Sequence, residues 1–119
     1  IFEILDEHND ENLTGIFHCF TGNETQAKKI IAYKGFKLGI GGVVTFKNAG
    51  LDKVLSSIDI EHLVLETDSP YLSPVPFRGK RNVSTNLIYI AEKLATIYNC
   101  SLNTIENQTT KNVLNVFKL

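Results

Sequence analysis

Two stretches of this 119-residue sequence gather side chains that could do chemistry. "GIFHCFTG" carries His18 near the end of a strand-like run, and "HLVLETDSP" carries Glu66 and Asp68 at the end of another. Alternate side chains share one side of a strand, so Glu66 and Asp68 are predicted to point together, with Thr67 opposite. Two carboxylates in an apolar setting repel and are costly to desolvate, which asks for a metal, an arginine or a shared proton beside them. Imidazole with carboxylate is a common ligand pair for zinc, manganese or iron, and carboxylate oxygens suit magnesium. His18 and Asp68, from different strands, would form such a metal site. The residues alone leave a second reading open, in which His18 is satisfied in the core and Asp68 caps the turn before Pro70.

The loop "PVPFRGKRN" then groups Arg78, Lys80 and Arg81 around Gly79, beside Phe77. Three cations in four residues could grip a phosphate ester next to the metal, or could simply form a solvated loop. Gly39, Gly41 and Gly42 in "GIGGVVTFKNA" could let bare backbone approach a ligand, or could serve turns. His8 and His62 fall at a helix end and a strand start, on the wrong side for this site.

Something has to hold these groups at strand ends. Residues 1–8 have the spacing of the last turns of an amphipathic helix, and "LTGIFHCF" reads as a strand. Asn23 can cap a helix over about 24–34, which Gly35 would stop. "FKLGIGG" is a second strand, followed by a loop and a helix whose face is Leu51, Val54, Leu55 and Ile58. "HLVLETD" is a third strand, apolar on both faces as in a covered parallel sheet. Ser84 is predicted to cap a long helix with Leu87, Ile88, Ala91, Leu94, Ala95 and Tyr98 on one face, and "TTKNVLNVFKL" forms the last helix. Strands alternating with helices predict an α/β fold with a parallel sheet, in which functional groups collect where strands end.

Composition limits the alternatives. A chain of this length can bury one core. With 43% hydrophobic and 21% charged residues and a net charge of −1, it lacks the surplus of Lys and Arg needed for broad capture of nucleic acid or anionic membrane. No apolar run approaches the roughly 18 residues of a membrane span. Cys19 and Cys100 are far apart and form no C-x-x-C pair, which predicts reduced, half-buried thiols. Five Asn-x-Ser/Thr triplets, at Asn12, Asn23, Asn82, Asn99 and Asn107, follow by chance from abundant Asn rather than from secretion. The chain does not begin with Met, so Ile1 is not expected to be a natural start.

Taken together, "FHCFTG", "GIGGVVTFKNA", "LVLETDSPYLSPVPFRGKRN" and "TTKNVLNVF" closely resemble the C-terminal half of the TatD-related metal-dependent deoxyribonucleases, across essentially all of the chain. The resemblance implies the C-terminal portion of a (β/α)8 TIM barrel of the metal-dependent hydrolase type: residues 1–119 as one partial domain, with about three parallel strands and flanking helices, and the N-terminal half of the barrel absent. It implies hydrolysis of phosphodiester bonds in DNA, a cytoplasmic location, and one or two divalent ions (Mg, Mn or Zn) in the full-length protein. By position it assigns His18 and Asp68 as metal ligands and Asp68 and Glu66 as catalytic. Arg78, Lys80 and Arg81 would then position substrate phosphates.

Where the family often continues "RGKRNEP", this chain has Val83-Ser84 after Asn82, so a contact made by that Glu is lost. The family's H-x-H pair, bridging glutamate and further histidine belong to earlier strands. The 119 residues alone are therefore expected to be inactive, and to self-associate or to need the other half. The alternatives are a half-barrel that binds phosphate or nucleic acid without catalysis, or a self-associating structural half-barrel.

Overall fold

A computed structural model describes residues 1–119. Strands and helices alternate in the expected order: α1 (Phe2–His8), β1 (Gly15–Phe17), α2 (Glu24–Ala32), β2 (Phe36–Ile40), α3 (Leu51–Leu55), β3 (Leu63–Leu65), α4 (Leu87–Ile97) and α5 (Leu102–Phe117). Short 3-10 turns occupy Gly42–Thr45, Ile60–His62 and Ser84–Asn86. The three strands form one parallel sheet in the order β1-β2-β3. Each crossover contains at least one helix, as parallel pairing requires.

The central strand explains where the core lies. Leu38 and Ile40 of β2 are fully buried with Leu63 of β3, Ile30 of α2, Leu55 of α3, Ile90 and Leu94 of α4 and Ile105 of α5. Burying a leucine or isoleucine completely is worth about 1.5–3 kcal/mol, so this cluster sets the strand order and the helix docking together. α5 is also tied to β3 by a polar bond: the buried Asn112 donates through Nδ2 to the carbonyls of Ile60 and Leu63, at 2.9 and 2.7 Å. The outer strands β1 and β3 each keep one unpaired edge. Beside β3 an apolar groove of about 390 Å³ opens between α4 and α5, lined by Leu65, Leu87, Ala91, Leu102 and Val113.

Several boundaries differ from the sequence reading. β1 ends at Phe17 and β3 at Leu65, so His18, Glu66 and Asp68 all lie just beyond the strands. α2 carries the expected cap, with Asn23 and Gln26 forming a reciprocal capping box, but the left-handed residue after it is Lys34, not Gly35. Gly35 is needed for a different reason: a Cβ there would sit 2.0 Å from the Leu13 carbonyl oxygen. Ser84 makes no side-chain cap; it opens a 3-10 turn before α4. Ile88 is 42% exposed, and Ile90 takes its place in the core. α5 starts at Leu102 rather than Thr109, capped by Ser101, whose hydroxyl accepts from the Thr104 amide.

Candidate metal centre

The site is assembled by the two strand ends that flank β2. Phe17 pairs with Leu38 and Leu65 with Ile40, which brings the residues leaving β1 and β3 to the same end of the sheet. There His18, Glu66 and Asp68 present one ligand atom each, all within 4.8 Å of one another. His18 is exposed, whereas Glu66 and Asp68 are half-buried.

Glu66 and Asp68 are placed by backbone geometry that strand alternation alone does not supply. Cys19, at φ 48°, turns its amide toward the cluster, and that N–H donates to Glu66 Oε1. Asp68 also adopts a left-handed conformation, at φ 53°, so its direction comes from a turn and not from the strand. Glu66 reaches across β2, where a Cβ on Gly39 would fall 2.1 Å from Glu66 Oε2 and 3.0 Å from the His18 Cα. The absent side chain at 39 is thus the seat of the glutamate. Gly39 and Gly42 leave room for the chain itself, at Gly42 for the Leu72 carbonyl, whereas Gly41 lies beside the cluster, where a Cβ would stand 3.4 Å from Asp68 Oδ2.

The electrostatics fit a cation. Asp68 Oδ2 is buried and has no hydrogen-bond partner, an arrangement that is costly for a carboxylate oxygen. Burial pushes Glu66 above the usual carboxylate range and the charge of Asp68 adds to this, against the Cys19 amide and His18, which pull it down. The Cys19 thiol is pushed up to about 11, by burial first and then by Asp68, so it stays protonated and offers no thiolate. Two carboxylates and an imidazole around an unsatisfied buried oxygen are a donor set that a small divalent cation matches.

The raised carboxyl of Glu66 has a consequence for stability. A folded state that holds this proton more tightly than the unfolded chain gains stability at low pH. That contribution is complete below the ordinary Glu value of about 4.3 and is lost as pH rises through the raised folded value. Thermal unfolding in the presence of a chelator, compared between wild type and Glu66→Gln from about pH 4 to pH 7, is expected to show wild type losing stability relative to the variant as pH rises, whatever the opposite trend of carboxyls held low such as Asp6 and Glu24. An unchanged pH profile in that variant would count against the assignment.

The cationic loop is also ordered. The Ser73 hydroxyl donates to the Lys80 carbonyl at 2.6 Å, closing the loop on itself. Arg78 stacks on Phe46, with its guanidinium carbon 4.0 Å from the ring centroid, a cation–π contact that restrains it. Lys80 and Arg81 are exposed, and none of the three is ion-paired with a carboxylate. Phe46 was not singled out in the sequence, because nothing local marks an aromatic 32 residues before an arginine as its partner. A second group of acids and a histidine, Asp59, Glu61 and His62, lies at the opposite end of β3. His8 sits at the end of α1, outside both groups. Cys19 and Cys100 are free and half-buried, as expected.

Comparison with known proteins agrees with this geometry. The sequence profile of a family described as "TatD related DNase" matches residues 1–118. A protein of Bacillus subtilis named "Uncharacterized metal-dependent hydrolase YabD" is 40% identical over 120 residues, covering 100% of this chain and 47% of its own length. A metal-dependent hydrolase of Buchnera aphidicola from Acyrthosiphon pisum is 40% identical over 118 residues, covering 98% and 44%. Among solved structures, the TatD homolog YJJV of Escherichia coli superposes with a TM-score of 0.82 at 25% identity, over 89% of this chain and 41% of that one. A TatD family hydrolase of Entamoeba histolytica has the same fold, with a TM-score of 0.82 at 24% identity, over 97% and 46%. The chain therefore spans a little under half the length of these relatives, and its fold is that of part of a TatD-type TIM barrel.

Proposed function

Because this chain belongs to the TatD related DNase family, we propose that it supplies one side of the active site of a divalent-metal-dependent hydrolase that cleaves phosphodiester bonds in DNA. One observation carries the reading: Asp68 Oδ2 is buried without a partner inside a cluster completed by a second carboxylate and an imidazole. In this reading His18 and Asp68 hold the cation, one or two ions in all, with Mg, Mn and Zn as the candidates. When bound, a divalent cation supplies positive charge that activates water and stabilises charge on a phosphoryl oxygen.

The chain's own residues do the rest. Glu66, held at Oε1 by the Cys19 amide, takes the proton of the attacking water as general base. Asp68 helps to orient that water. Arg78, Lys80 and Arg81 neutralise and position substrate phosphates, with Arg78 restrained on Phe46 and therefore the strongest of the three. Two free thiols favour a reducing compartment, and we assign the activity to the cytoplasm. No helix is long and apolar enough to cross a membrane.

His18 and Asp68, even with Glu66 beside them, leave a cation incompletely held, so residues 1–119 alone bind metal weakly and turn over slowly or not at all. The unpaired edges of β1 and β3 then favour association with a segment that completes the barrel, or with a second copy of this chain. The unpaired cations of the 78–81 loop support one competing reading, a phosphate-binding half-barrel without catalysis.

Nuclease assays on the intact gene product with Mg²⁺, Mn²⁺ or Zn²⁺ test the proposal. His18→Ala and Asp68→Ala are each expected to lower the rate by at least about 10²-fold, and Arg78→Ala to act mainly on KM. Full activity in both ligand variants would overturn the metal assignment. DNA binding that needs no cation and leads to no hydrolysis would favour the competing reading.

A further inference from the structure

We propose that Asn82 is a positioning residue for the metal centre, a buried latch that fixes the turn carrying Asp68. The inference rests on the metal-centre reading above and deepens it, since Asn82 makes no hydrogen bond to the side chain of His18, Glu66 or Asp68.

The observation behind it is a conflict between place and burial. Asn82 lies in an exposed cationic loop, between the exposed Arg81 and Val83, yet it is only 2% exposed itself. Its Nδ2 donates to the carbonyl of Thr67, the residue between Glu66 and Asp68, and to the carbonyl of Tyr71 at 2.8 Å. Its backbone N–H donates to the carbonyl of Pro70 at 2.9 Å. One residue thus grips both sides of the turn in which Asp68 stands at φ 53° and the Tyr71 amide donates to the Asp68 carbonyl at 2.9 Å. A left-handed aspartate is an unfavourable conformation that persists where its surroundings over-determine it, and here those surroundings are the carbonyls that Asn82 holds.

The residue type follows from the same contacts. A carboxamide has two N–H donors for the two carbonyls and one oxygen acceptor left over. That oxygen accepts from Asn86 Nδ2 at 3.1 Å, which sets which way round the amide sits. Asn86 leads directly into α4, whose Ile90 and Leu94 are fully buried in the core. The chain of contacts runs from core helix to Asn86, to Asn82, to the Asp68 turn. Aspartate at 82 would set acceptors against two carbonyls and break the chain while keeping its shape.

Asn112 provides a matched control, because it too is a buried asparagine that donates to two carbonyls, but at the far end of β3 from the site. The measurements are Mn²⁺ affinity by paramagnetic resonance, thermal unfolding, and kcat and KM on DNA, using the intact gene product and its Asn82→Ala, Asn82→Asp, Asn86→Ala and Asn112→Ala variants. Asn82→Ala and Asn112→Ala are both expected to melt lower than wild type. Of these two sites, only Asn82 is expected to cost Mn²⁺ affinity and kcat when changed, by roughly 10- to 100-fold, with KM little changed. Asn86→Ala, which keeps both carbonyl contacts but frees the amide, is expected to move in the same direction by less, and it decides the matter if the Asn82 variants do not fold.

Wild-type Mn²⁺ affinity in a folded Asn82→Ala protein overturns the latch. So does an equal loss of affinity in Asn112→Ala, or, with Asn82 variants unfolded, no loss in Asn86→Ala. If the wild-type protein binds no Mn²⁺, the metal reading and the latch fail together. If it binds Mn²⁺ but cleaves no DNA, the nuclease reading fails and the affinities still judge the latch.

Discussion

Asp68→Asn is expected to remove metal-dependent hydrolysis while leaving the metal-free protein at least as stable as wild type. The two effects share one cause. Asp68 presents a buried oxygen with no partner beside a second carboxylate, an arrangement useful to a cation and unfavourable without one. Asparagine keeps the shape, tolerates the left-handed backbone at φ 53°, and replaces a charged ligand by a neutral one. Losing that charge removes the repulsion with Glu66 and leaves no charged oxygen without a partner in the metal-free fold. The same loss is expected to reduce turnover by on the order of 10²- to 10³-fold.

Thermal unfolding in a chelator and nuclease assay with Mn²⁺ measure the two halves separately. Asp68→Ala should lose activity equally but gain less stability, because alanine in a left-handed conformation carries a penalty of roughly 1–2 kcal/mol. An Asp68→Asn protein that melts below wild type in chelator and still cleaves DNA would falsify the reading of this oxygen as a ligand.

The second large effect is expected from a single methyl group. Gly39→Ala puts a Cβ 2.1 Å from Glu66 Oε2, 2.9 Å from Glu66 Cδ and 3.0 Å from the His18 Cα. The glutamate can swing away, but only by giving up the amide of Cys19 that orients it. The His18 backbone cannot yield as easily, since it continues directly from β1. Overpacking of this kind costs about 1–3 kcal/mol, and displacing a general base costs on the order of 10²- to 10⁴-fold in rate.

A double variant separates the two causes. Adding Glu66→Ala to Gly39→Ala removes the group that the new methyl strikes, so much of the stability should return while activity should not. The two substitutions are in contact, and an interaction of about 0.5–3 kcal/mol is the expected sign of coupling. Strictly additive losses in unfolding free energy would show that Gly39 is not the seat of Glu66.

Much of the fold was legible because its signals are local and periodic. The apolar runs around Leu38, Ile40 and Leu63 read as covered strands, and these residues are fully buried. Of the predicted face Leu51, Val54, Leu55 and Ile58, three residues form part of the core and Val54 packs partly buried against it, although α3 itself ends at Leu55, before Ile58. Where the reading missed, the local signal was weak or shared. The first turns of α5, "LNTIENQ", hold only two apolar residues, Leu102 and Ile105, so the pattern is too sparse to extend a helix back to Ser101. Ser84 has a capping residue's chemistry but a 3-10 turn's backbone, and its side chain caps nothing.

The site was legible in type and illegible in mechanism of assembly. Strand alternation predicted that Glu66 and Asp68 share a side, and they do converge with His18. The reason is different: β3 has ended at Leu65, Glu66 crosses over Gly39, and Asp68 is aimed by a left-handed turn. Asn82 stands in the sequence as the end of the "RGKRN" motif and as one of five chance triplets, with no role attached, since no sequence pattern states that its amide will reach carbonyls 11 and 15 residues away.

By itself, then, the order of residues determined the β-α alternation, the identity of the core, and which side chains could hold a cation. Those follow from the 2.0 and 3.6 residue periods of apolar side chains and from the chemistry of carboxylate and imidazole. Only the tertiary structure decided that the three ligand candidates meet, that one carboxylate oxygen is left unsatisfied among them, and that an asparagine holds the turn in place. Those depend on distances between residues far apart in the chain, and such distances exist only once the core has packed the strands side by side.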